Sequence, residues 1–265
     1  MELTREVRFS LGGDDPPGGV NNSWGGWPAS CGIVPFVVLR ITVSGEVDRR
    51  TGFLCNIILL DRAVREVVVP RLSERWRLHA AKPLPVEILL ADFAPLLESS
   101  LPGGVRLSRL ELRVTPSLAY TWHAEKERMV SLTQVFEFAA AHRLYCADFS
   151  EDENRKIFGK CTNPNGHGHN YLVEVTVQGQ PDARSGLLLQ IGEFEQIVKR
   201  RVIDVFDHKH LNSDCPEFAQ LNPSVENITR IIWEKLEGAF GRTTLARVRV
   251  YETPKTVAEY AGPEA

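Results

Sequence analysis

The sequence has no C-x-x-C pair, and its five cysteines, at 31, 55, 146, 161 and 215, are odd in number and widely scattered. That excludes a disulfide-stapled scaffold and a four-cysteine metal knuckle, and it fits free thiols in a reducing cytoplasm. Long apolar runs are also missing. A candidate such as Ile57-Ile58-Leu59-Leu60 meets a charge at once, well short of the roughly 20 residues that span a bilayer. The opening Met1-Glu2-Leu3-Thr4-Arg5-Glu6 has neither a basic nor an apolar stretch, so no secretory signal is expected. Neither charge sign dominates: 31 Lys and Arg against 34 Asp and Glu leave a net −3. Such a balance calls for neither nucleic acid nor an anionic membrane as partner. What is present, 43% hydrophobic and 25% charged residues, is the composition of a globular chain. Its 265 residues allow one large domain or two ordinary ones.

An internal repeat favours two. Residues 36–57 and 170–191 align without gaps, so that Thr42, Val43, Gly45, Asp48, Arg50, Gly52, Leu54 and Ile57 match Thr176, Val177, Gly179, Asp182, Arg184, Gly186, Leu188 and Ile191. Each copy reads as an alternating strand, a Gly-containing turn and a second, short apolar strand. Helical stripes follow: Leu60, Ala63, Val64, Val67 and Val68 in the first copy, Phe194, Ile197, Val198, Val202 and Val205 in the second. A second helix has Leu89, Phe93, Leu96 and Leu97 in one copy. In the other it has Ile228, Ile231, Ile232 and Leu236 behind an N-cap at Ser224. Each copy closes on an alternating strand and Thr-Pro, at 110–116 and 248–254. The expected fold is α+β, two tandem β-β-α-α-β-β units over 1–130 and 131–265. Each would be a four-stranded antiparallel sheet with two helices on one face. The polar stretch from Tyr120 to Arg128 is expected to join them, and Gly12 to Gly26 to form a long loop.

The chemistry concentrates in the second copy. His167 and His169 stand at i and i+2 where an alternating strand begins, which turns both imidazoles to one face. His142 ends another alternating stretch; if the two strands are neighbours, three imidazoles converge. Three protein ligands with an open fourth position describe a catalytic zinc site. Without that pairing, they are surface or turn histidines. Cys161 lies six residues before His167 in a Gly/Asn/Pro-rich loop, where a thiol beside a metal and a base is activated; an inert buried thiol fits Cys55 better. Asp207-His208 is either a helix-end pair or a carboxylate orienting an imidazole for proton transfer. Glu226, in the first turn after Ser224, suits the helix dipole whether or not it binds anything. Glu252, ending the last strand, is either an exposed strand-end carboxylate or an acceptor for two N–H groups of a planar heterocycle.

Together the runs Phe138-Ala-Ala-Ala-His142-Arg-Leu, Phe158-Gly-Lys-Cys161, Asn163-Pro-Asn-Gly-His-Gly-His-Asn-Tyr171, Asp207-His208-Lys209, Ser224-Val-Glu-Asn227 and Val250-Tyr-Glu-Thr253 resemble the 6-pyruvoyl-tetrahydropterin synthase family of the tunnelling-fold (T-fold) superfamily. The resemblance covers residues 133 to 262. It implies that His142, His167 and His169 are zinc ligands, Cys161 the catalytic thiol, and Asp207 with His208 the pair that works with it. It implies that Glu252 anchors a pterin ring and that Ser224 and Glu226 belong to the pterin pocket, where Val225 departs from a frequent Thr. The implied reaction is zinc-dependent elimination of triphosphate from 7,8-dihydroneopterin triphosphate, with rearrangement to 6-pyruvoyl-tetrahydropterin. Arg143, Lys160 and Lys209 are candidates for holding the phosphates. The related 6-carboxy-tetrahydropterin synthases share site and substrate. Here Cys-x5-His-Gly-His, preceded by Phe-Gly-Lys, follows the pyruvoyl spacing. Cys161 also argues against an aldolase-like branch that carries Glu in its place. The resemblance further implies barrels closed by oligomerisation, a trimer of two-unit chains mimicking a hexamer.

The first copy departs from this pattern. Ser73, Glu74 and Val114 fall where Asp207, His208 and Glu252 stand, and no histidine lies between Gly12 and Pro35. It is therefore expected to bind no zinc. It serves either as a structural partner, the preferred reading, or as a module with its own ligand at Trp24, Trp27 and Arg40. For the whole chain, the alternative class is a zinc-containing binding protein without catalysis.

Overall fold

The computed structural model describes residues 1–11, 27–28, 33–79, 84–126 and 129–263. The loop expected over Gly12–Gly26, Trp24 and Arg128 lie outside these residues. Two compact units are present, Met1–Leu132 with Gly179–Leu188, and Thr133–Gln178 with Leu189–Ala265. The class is mixed α and β, with antiparallel sheets.

The first unit runs β1 (Glu2–Ser10), β2 (Phe36–Gly45), α1 (Ile57–Ala63), a π-helical turn Val64–Val68, α2 (Val69–Leu78), α3 (Val86–Ser100), β3 (Val105–Thr115) and β4 (Leu118–His123). Its strands pair antiparallel in chain order. The period-2 alternation of β2 sends Val37, Leu39, Ile41 and Val43 into the core, each side chain contributing about 1.5–3 kcal/mol by leaving water. Between them Arg40 faces outward and pairs with Glu6 of β1 and Glu111 of β3. Leu60, Val64, Leu72, Leu90 and Leu97 of the helical segments are also buried.

The second unit runs β5 (Val130–His142, from Thr133 on), α4 (Glu151–Phe158), a 3-10 turn Gly159–Thr162, β6 (His167–Gly179, to Gln178), α5 (Ile191–Val198), a π-helical turn Lys199–Ile203, α6 (Asp204–Phe206), β7 (Lys209–His210), α7 (Leu211–Asp214), α8 (Val225–Leu236), β8 (Thr244–Thr253) and β9 (Thr256–Tyr260). The strand order is β5-β6-β8-β9, with β7 parallel to β5. Tyr171, Val173, Val175 and Val177 of β6 are fully buried. Glu174 points the other way, to Arg247 and Arg249 of β8. Both units carry a bulge at the same place, Thr42/Val43 and Thr176/Val177, which bends the strand and increases its twist. Helix α8 starts at Ser224, whose side chain accepts from the Asn227 amide, and buries Val225, Ile228, Ile232, Trp233 and Leu236.

Three expectations are corrected. The short apolar strand after each Gly turn does not form. Asp48 and Asp182 instead fold the chain back on itself: Asp48 N–H donates to Phe53 O and Gly52 N–H to Asp48 O, with the same pattern from Asp182 to Leu187. Those bonds occupy the backbone groups a strand would need, so Cys55 is buried in a loop rather than in a strand. The outer neighbour of β2 is β1, over Glu2–Ser10. The presumed linker is shorter than Tyr120–Arg128, because Tyr120 and Trp122 pair with Leu112 and Leu110 within β4 and β3.

Glu87, in the first turn of α3, is 1% exposed. Its Oε1 accepts from Leu188 N–H at 3.1 Å, while Oε2 is buried without a partner. Burial raises its pKa above the ordinary 4.5, outweighing its backbone hydrogen bonds. A carboxyl raised on folding stabilises in full below its unfolded value and loses that stability as pH rises through the folded one. Glu87→Gln keeps an acceptor for Leu188 and carries no charge. The variant is expected to melt higher than wild type at neutral pH, with the gap closing towards pH 4 in a series of thermal melts. A gap that stays constant across that range would show that Glu87 does not titrate with folding.

Candidate active site

His142 closes β5 and His167-Gly168-His169 opens β6, the neighbouring strand. Period 2 puts His167 and His169 on one face, and adjacency brings His142 to them. One ligating nitrogen from each lies within 4.8 Å of the others, and this is the cluster of potential metal-ligating side chains among the described residues. The approach needs Gly166, with φ of 70°: a Cβ there would sit 2.8 Å from the His142 carbonyl oxygen and 2.7 Å from His210 Nε2.

Hydrogen bonding fixes what the nitrogens offer. His142 is fully buried, and its Nδ1–H donates to the Pro223 carbonyl at 2.7 Å. That leaves Nε2 as a bare lone pair. It faces His167 Nε2 at 3.2 Å, and His169 Nε2 is buried with no hydrogen-bond partner among the described residues. A tetrahedral ion with bonds of zinc–imidazole length, about 2.0–2.1 Å, separates its ligand nitrogens by about 3.3 Å. The three imidazoles therefore fit a metal by donor type, and the spacing of His142 from His167 is that of two ligands on one tetrahedral ion. Burial lowers the pKa of His142 and of His169, which keeps both in the neutral form a metal requires.

Around the cluster stand three further groups. Glu252, near the end of β8, places Oε1 3.5 Å from His142 Nε2 and 3.7 Å from His169 Nε2. Tyr171 is buried, with its hydroxyl 3.5 Å from His142 Nδ1; burial, then Glu252 and Cys161, push its pKa far up. Cys161 lies in the 3-10 turn after α4. Leu144 N–H donates to the Cys161 carbonyl at 2.9 Å, and Arg143 Nε to the Thr162 carbonyl at 2.9 Å. The thiol's loop is thus tied to the residues that follow His142. In the protein without a metal, burial and then the Glu252 carboxylate raise the Cys161 pKa.

Asparagines hold these loops. Asn212 Oδ1 accepts from Arg143 N–H and its Nδ2 donates to the Arg143 carbonyl. Asn222 Oδ1 accepts from Tyr145 N–H, and Asn227 Nδ2 donates to the Asn222 carbonyl. Asn154 is fully buried; it accepts from Cys146 N–H and donates to the carbonyls of Cys146, Phe149 and Ser150.

Asp207 and His208 form their own pair. Asp207 Oδ1 accepts from Ala139 N–H at 2.9 Å, and Oδ2 meets His208 Nδ1 at 2.8 Å. The Ala139 bond and then His208 lower the Asp207 pKa, so the carboxylate stays charged. His208 has φ of 56° and a side chain 83% exposed, a left-handed conformation that costs roughly 1–2 kcal/mol for a residue with a Cβ. Its N–H donates to Ala139 O at 2.6 Å, which helps hold it there. His208 lines a cleft of about 1210 Å³ together with His169, Tyr251, Glu252 and Thr253. Among the described residues no hydrogen bond joins Cys161 to Asp207 or His208. The structure thus gathers the three histidines, Glu252 and Cys161, and sets the Asp207–His208 pair on the wall of the cleft that Glu252 and His169 also line. Glu226 is exposed in the first turn of α8, three residues after the Pro223 carbonyl that holds His142.

Residues 131–263 match the family model for 6-pyruvoyl tetrahydropterin synthase. A human relative, 6-pyruvoyl tetrahydrobiopterin synthase, is 41% identical over 125 residues, which is 47% of this chain and 86% of the relative. The chain belongs to the 6-pyruvoyl tetrahydropterin synthase family. It is an enzyme of that lyase type. The Drosophila melanogaster 6-pyruvoyl tetrahydrobiopterin synthase is 39% identical, over 50% of this chain and 79% of its own length. The solved Caenorhabditis elegans 6-pyruvoyl tetrahydropterin synthase is 35% identical with a TM-score of 0.49, covering 51% of this chain and 96% of that one. A 6-carboxy-5,6,7,8-tetrahydropterin synthase from Rickettsia conorii is 26% identical over 49% of this chain and 99% of its own.

Two groups beside the histidine cluster carried no signal in residue type. The Pro223 carbonyl, which sets the His142 tautomer, is backbone. Tyr171 reads as one more core aromatic of β6. In the first unit, Ser73 and Glu74 lie within helix α2 and Val114 is an exposed strand residue. Of the residues named for a ligand there, Trp27 stacks on Phe36 with Arg8 over its ring, and Arg40 is taken up by Glu6 and Glu111.

Proposed function

We propose that the second unit, over 131–265, eliminates triphosphate from 7,8-dihydroneopterin triphosphate and rearranges the side chain to give 6-pyruvoyl-tetrahydropterin. The observation that carries this reading is the three-imidazole cluster, built on the buried His142, with a thiol and a carboxylate beside it. His142, His167 and His169 would hold zinc. When bound, the ion supplies Lewis acidity towards the hydroxyl oxygens of the substrate side chain and a positive charge that counters the field of Glu252 at Cys161.

The protein's own groups do the rest. Cys161 takes a proton from a side-chain carbon and returns one to its neighbour, so the rearrangement has no net redox change. His208, held by Asp207, exchanges that proton with solvent through the exposed face of its ring. The place of Glu252 beside the histidines gives it the reacting side chain to orient, so anchoring of the ring N–H groups passes to Glu226, at the α8 start that Ser224 caps. The leaving triphosphate meets basic side chains among Arg143, Lys160 and Lys209.

The first unit, over 1–130, is a degenerate T-fold partner without a catalytic set, and tandem units of this kind close into barrels as homo-oligomers, a trimer of chains giving six units. The balance of charge, the free thiols and the lack of any described helix able to cross a membrane accord with a cytoplasmic enzyme on a small-molecule substrate. The test is to incubate zinc-loaded protein with 7,8-dihydroneopterin triphosphate and identify products by mass spectrometry. Triphosphate and a pyruvoyl pterin are expected. A carboxy pterin would transfer the chain to the 6-carboxy branch, and unconsumed substrate would remove the reaction altogether.

A further inference from the structure

The long helix and the last hairpin of each unit correspond residue for residue. Besides Glu87, helix α3 buries Val86, Leu89, Leu90, Phe93, Ala94 and Leu97, and α8 buries Val225, Ile228, Thr229, Ile232, Trp233 and Leu236. The spacing is identical, so Ala94 stands where Trp233 stands. In the hairpins, Leu110 lies between Ile41 and Trp122 as Val248 lies between Val175 and Tyr260. Trp122 therefore stands where Tyr260 stands.

In the second unit Trp233 fills the space between helix and hairpin. It is 5% exposed, its ring meets Tyr260 edge-on at 5.5 Å, and a Cβ on Gly262 would come within 3.0 Å of it. Arg230 and Glu234 pair along the same helix. The first unit has Ala91, Ala94 and Pro95 at the places of Arg230, Trp233 and Glu234. All three line a cleft of about 700 Å³, with Trp122 in its wall, and small-molecule sites have about 300–1,000 Å³. The space that an indole fills in one unit is open in the other. Two acceptors belong to this cleft. Glu98 Oε2 accepts from Leu107 N–H at 2.5 Å, and Oε1 has no hydrogen bond among the described residues. Pro95, inside α3, has no N–H, so the Ala91 carbonyl four residues earlier lacks its helical donor. Arg106 and Glu125 also line the cleft, exposed and of opposite sign, which leaves Glu98 as its net charge.

We propose that this cleft binds a flat, indole-sized aromatic molecule that carries a ring N–H. The ring takes the place that the Trp233 side chain holds in the second unit, and packs against Trp122 as Trp233 packs against Tyr260. Its N–H donates to Glu98 Oε1, the charged and therefore stronger of the two acceptors. A second N–H finds the Ala91 carbonyl. An anionic ring is disfavoured, because Glu98 is the uncompensated charge. The site lies wholly within the first unit and gives that unit a ligand of its own. It stands whether or not the second unit catalyses the reaction proposed above.

The probes are indole and benzofuran, which has the same shape and no N–H, each titrated by calorimetry into the full chain. Indole is expected to bind saturably at one site per chain, and benzofuran about tenfold more weakly for want of the hydrogen bond to a charged group. Ala94→Trp supplies from within the side chain that Trp233 supplies in the second unit, and indole binding is expected to disappear. Alanine methyl groups labelled for nuclear magnetic resonance locate the site in the unmodified protein: the signals of Ala91 and Ala94 are expected to move as indole is added. Absence of saturable binding, equal binding by the unmodified protein and Ala94→Trp, or unmoved Ala91 and Ala94 signals overturns the proposal. The first and last of these hold even if Ala94→Trp fails to fold. Benzofuran bound as tightly as indole overturns the requirement for an N–H.

Discussion

Cys161→Ala is expected to retain one zinc per chain and to lose turnover by about 10²–10⁴, the range that a positioned acid or base contributes. The separation follows from where the thiol sits. The metal-binding nitrogens belong to β5 and β6, and His142 is oriented by the Pro223 carbonyl, not by the loop after α4. That loop is fixed through its backbone, by Leu144 N–H on the Cys161 carbonyl and Arg143 on the Thr162 carbonyl. Removing the sulfur leaves both bonds in place. The thiol is only half-buried, so the cavity it leaves is small and the fold loses little. Elemental analysis and product release on the same preparation give the two readouts. Loss of zinc together with activity would make the thiol's role structural, and full activity would take it out of the chemistry.

The pH dependence adds a check on the same group. Burial and Glu252 raise the Cys161 pKa in the protein alone. A zinc ion held by His142, His167 and His169 acts in the opposite sense. Thiol alkylation followed against pH is therefore expected to shift to lower pH when zinc is added to metal-free protein. An unchanged profile would mean that the metal's field does not reach the sulfur.

How much of this the residues reveal in advance depends on whether the determining group is a side chain with a period. The alternations of Val37-Leu39-Ile41-Val43 and Tyr171-Val173-Val175-Val177 identify β2 and β6, because a sheet with one covered face needs that pattern. The same period-2 rule brings His167 and His169 to one face, and the alternation before His142 brings in the third ligand. Strand β1 follows the rule too, with Val7 and Phe9 inward and Glu6 and Arg8 outward. Its partner lies beyond a long stretch of other chain, and no local turn announces the pairing. The turns at Asp48 and Asp182 misled because Phe53-Leu54-Cys55 and Leu187-Leu188-Leu189 have strand composition, while the aspartates have already claimed the backbone. The Pro223 carbonyl that sets the His142 tautomer is invisible to any reading of residue types. So is the distance of Glu252 from the cluster, which depends on the register of β8 against β6 rather than on the carboxylate itself.

His169→Ala is expected to reduce bound zinc from one per chain to less than a tenth and to abolish turnover, while the protein stays folded. The choice of histidine matters. His142 is fully buried and its removal would leave the Pro223 carbonyl without its donor, a loss of about 1–3 kcal/mol before any cavity is counted. His169 sits at the cleft wall, partly accessible, and its buried Nε2 has no hydrogen-bond partner among the described residues. Deleting it removes a ligand and breaks no hydrogen bond made by that nitrogen. Two imidazoles remain, and altering even a group behind a ligand lowers metal affinity 10- to 100-fold, so loss of a ligand itself exceeds that. Metal that binds only the folded state also stabilises it, by about 2.7 kcal/mol at a hundred times its dissociation constant. A chelator should therefore lower the melting temperature of the unmodified protein and leave that of His169→Ala where it was. Equal chelator shifts in both proteins would place the metal elsewhere. No shift in either, with zinc absent from both by elemental analysis, would mean that three convergent imidazoles in this fold do not hold a metal.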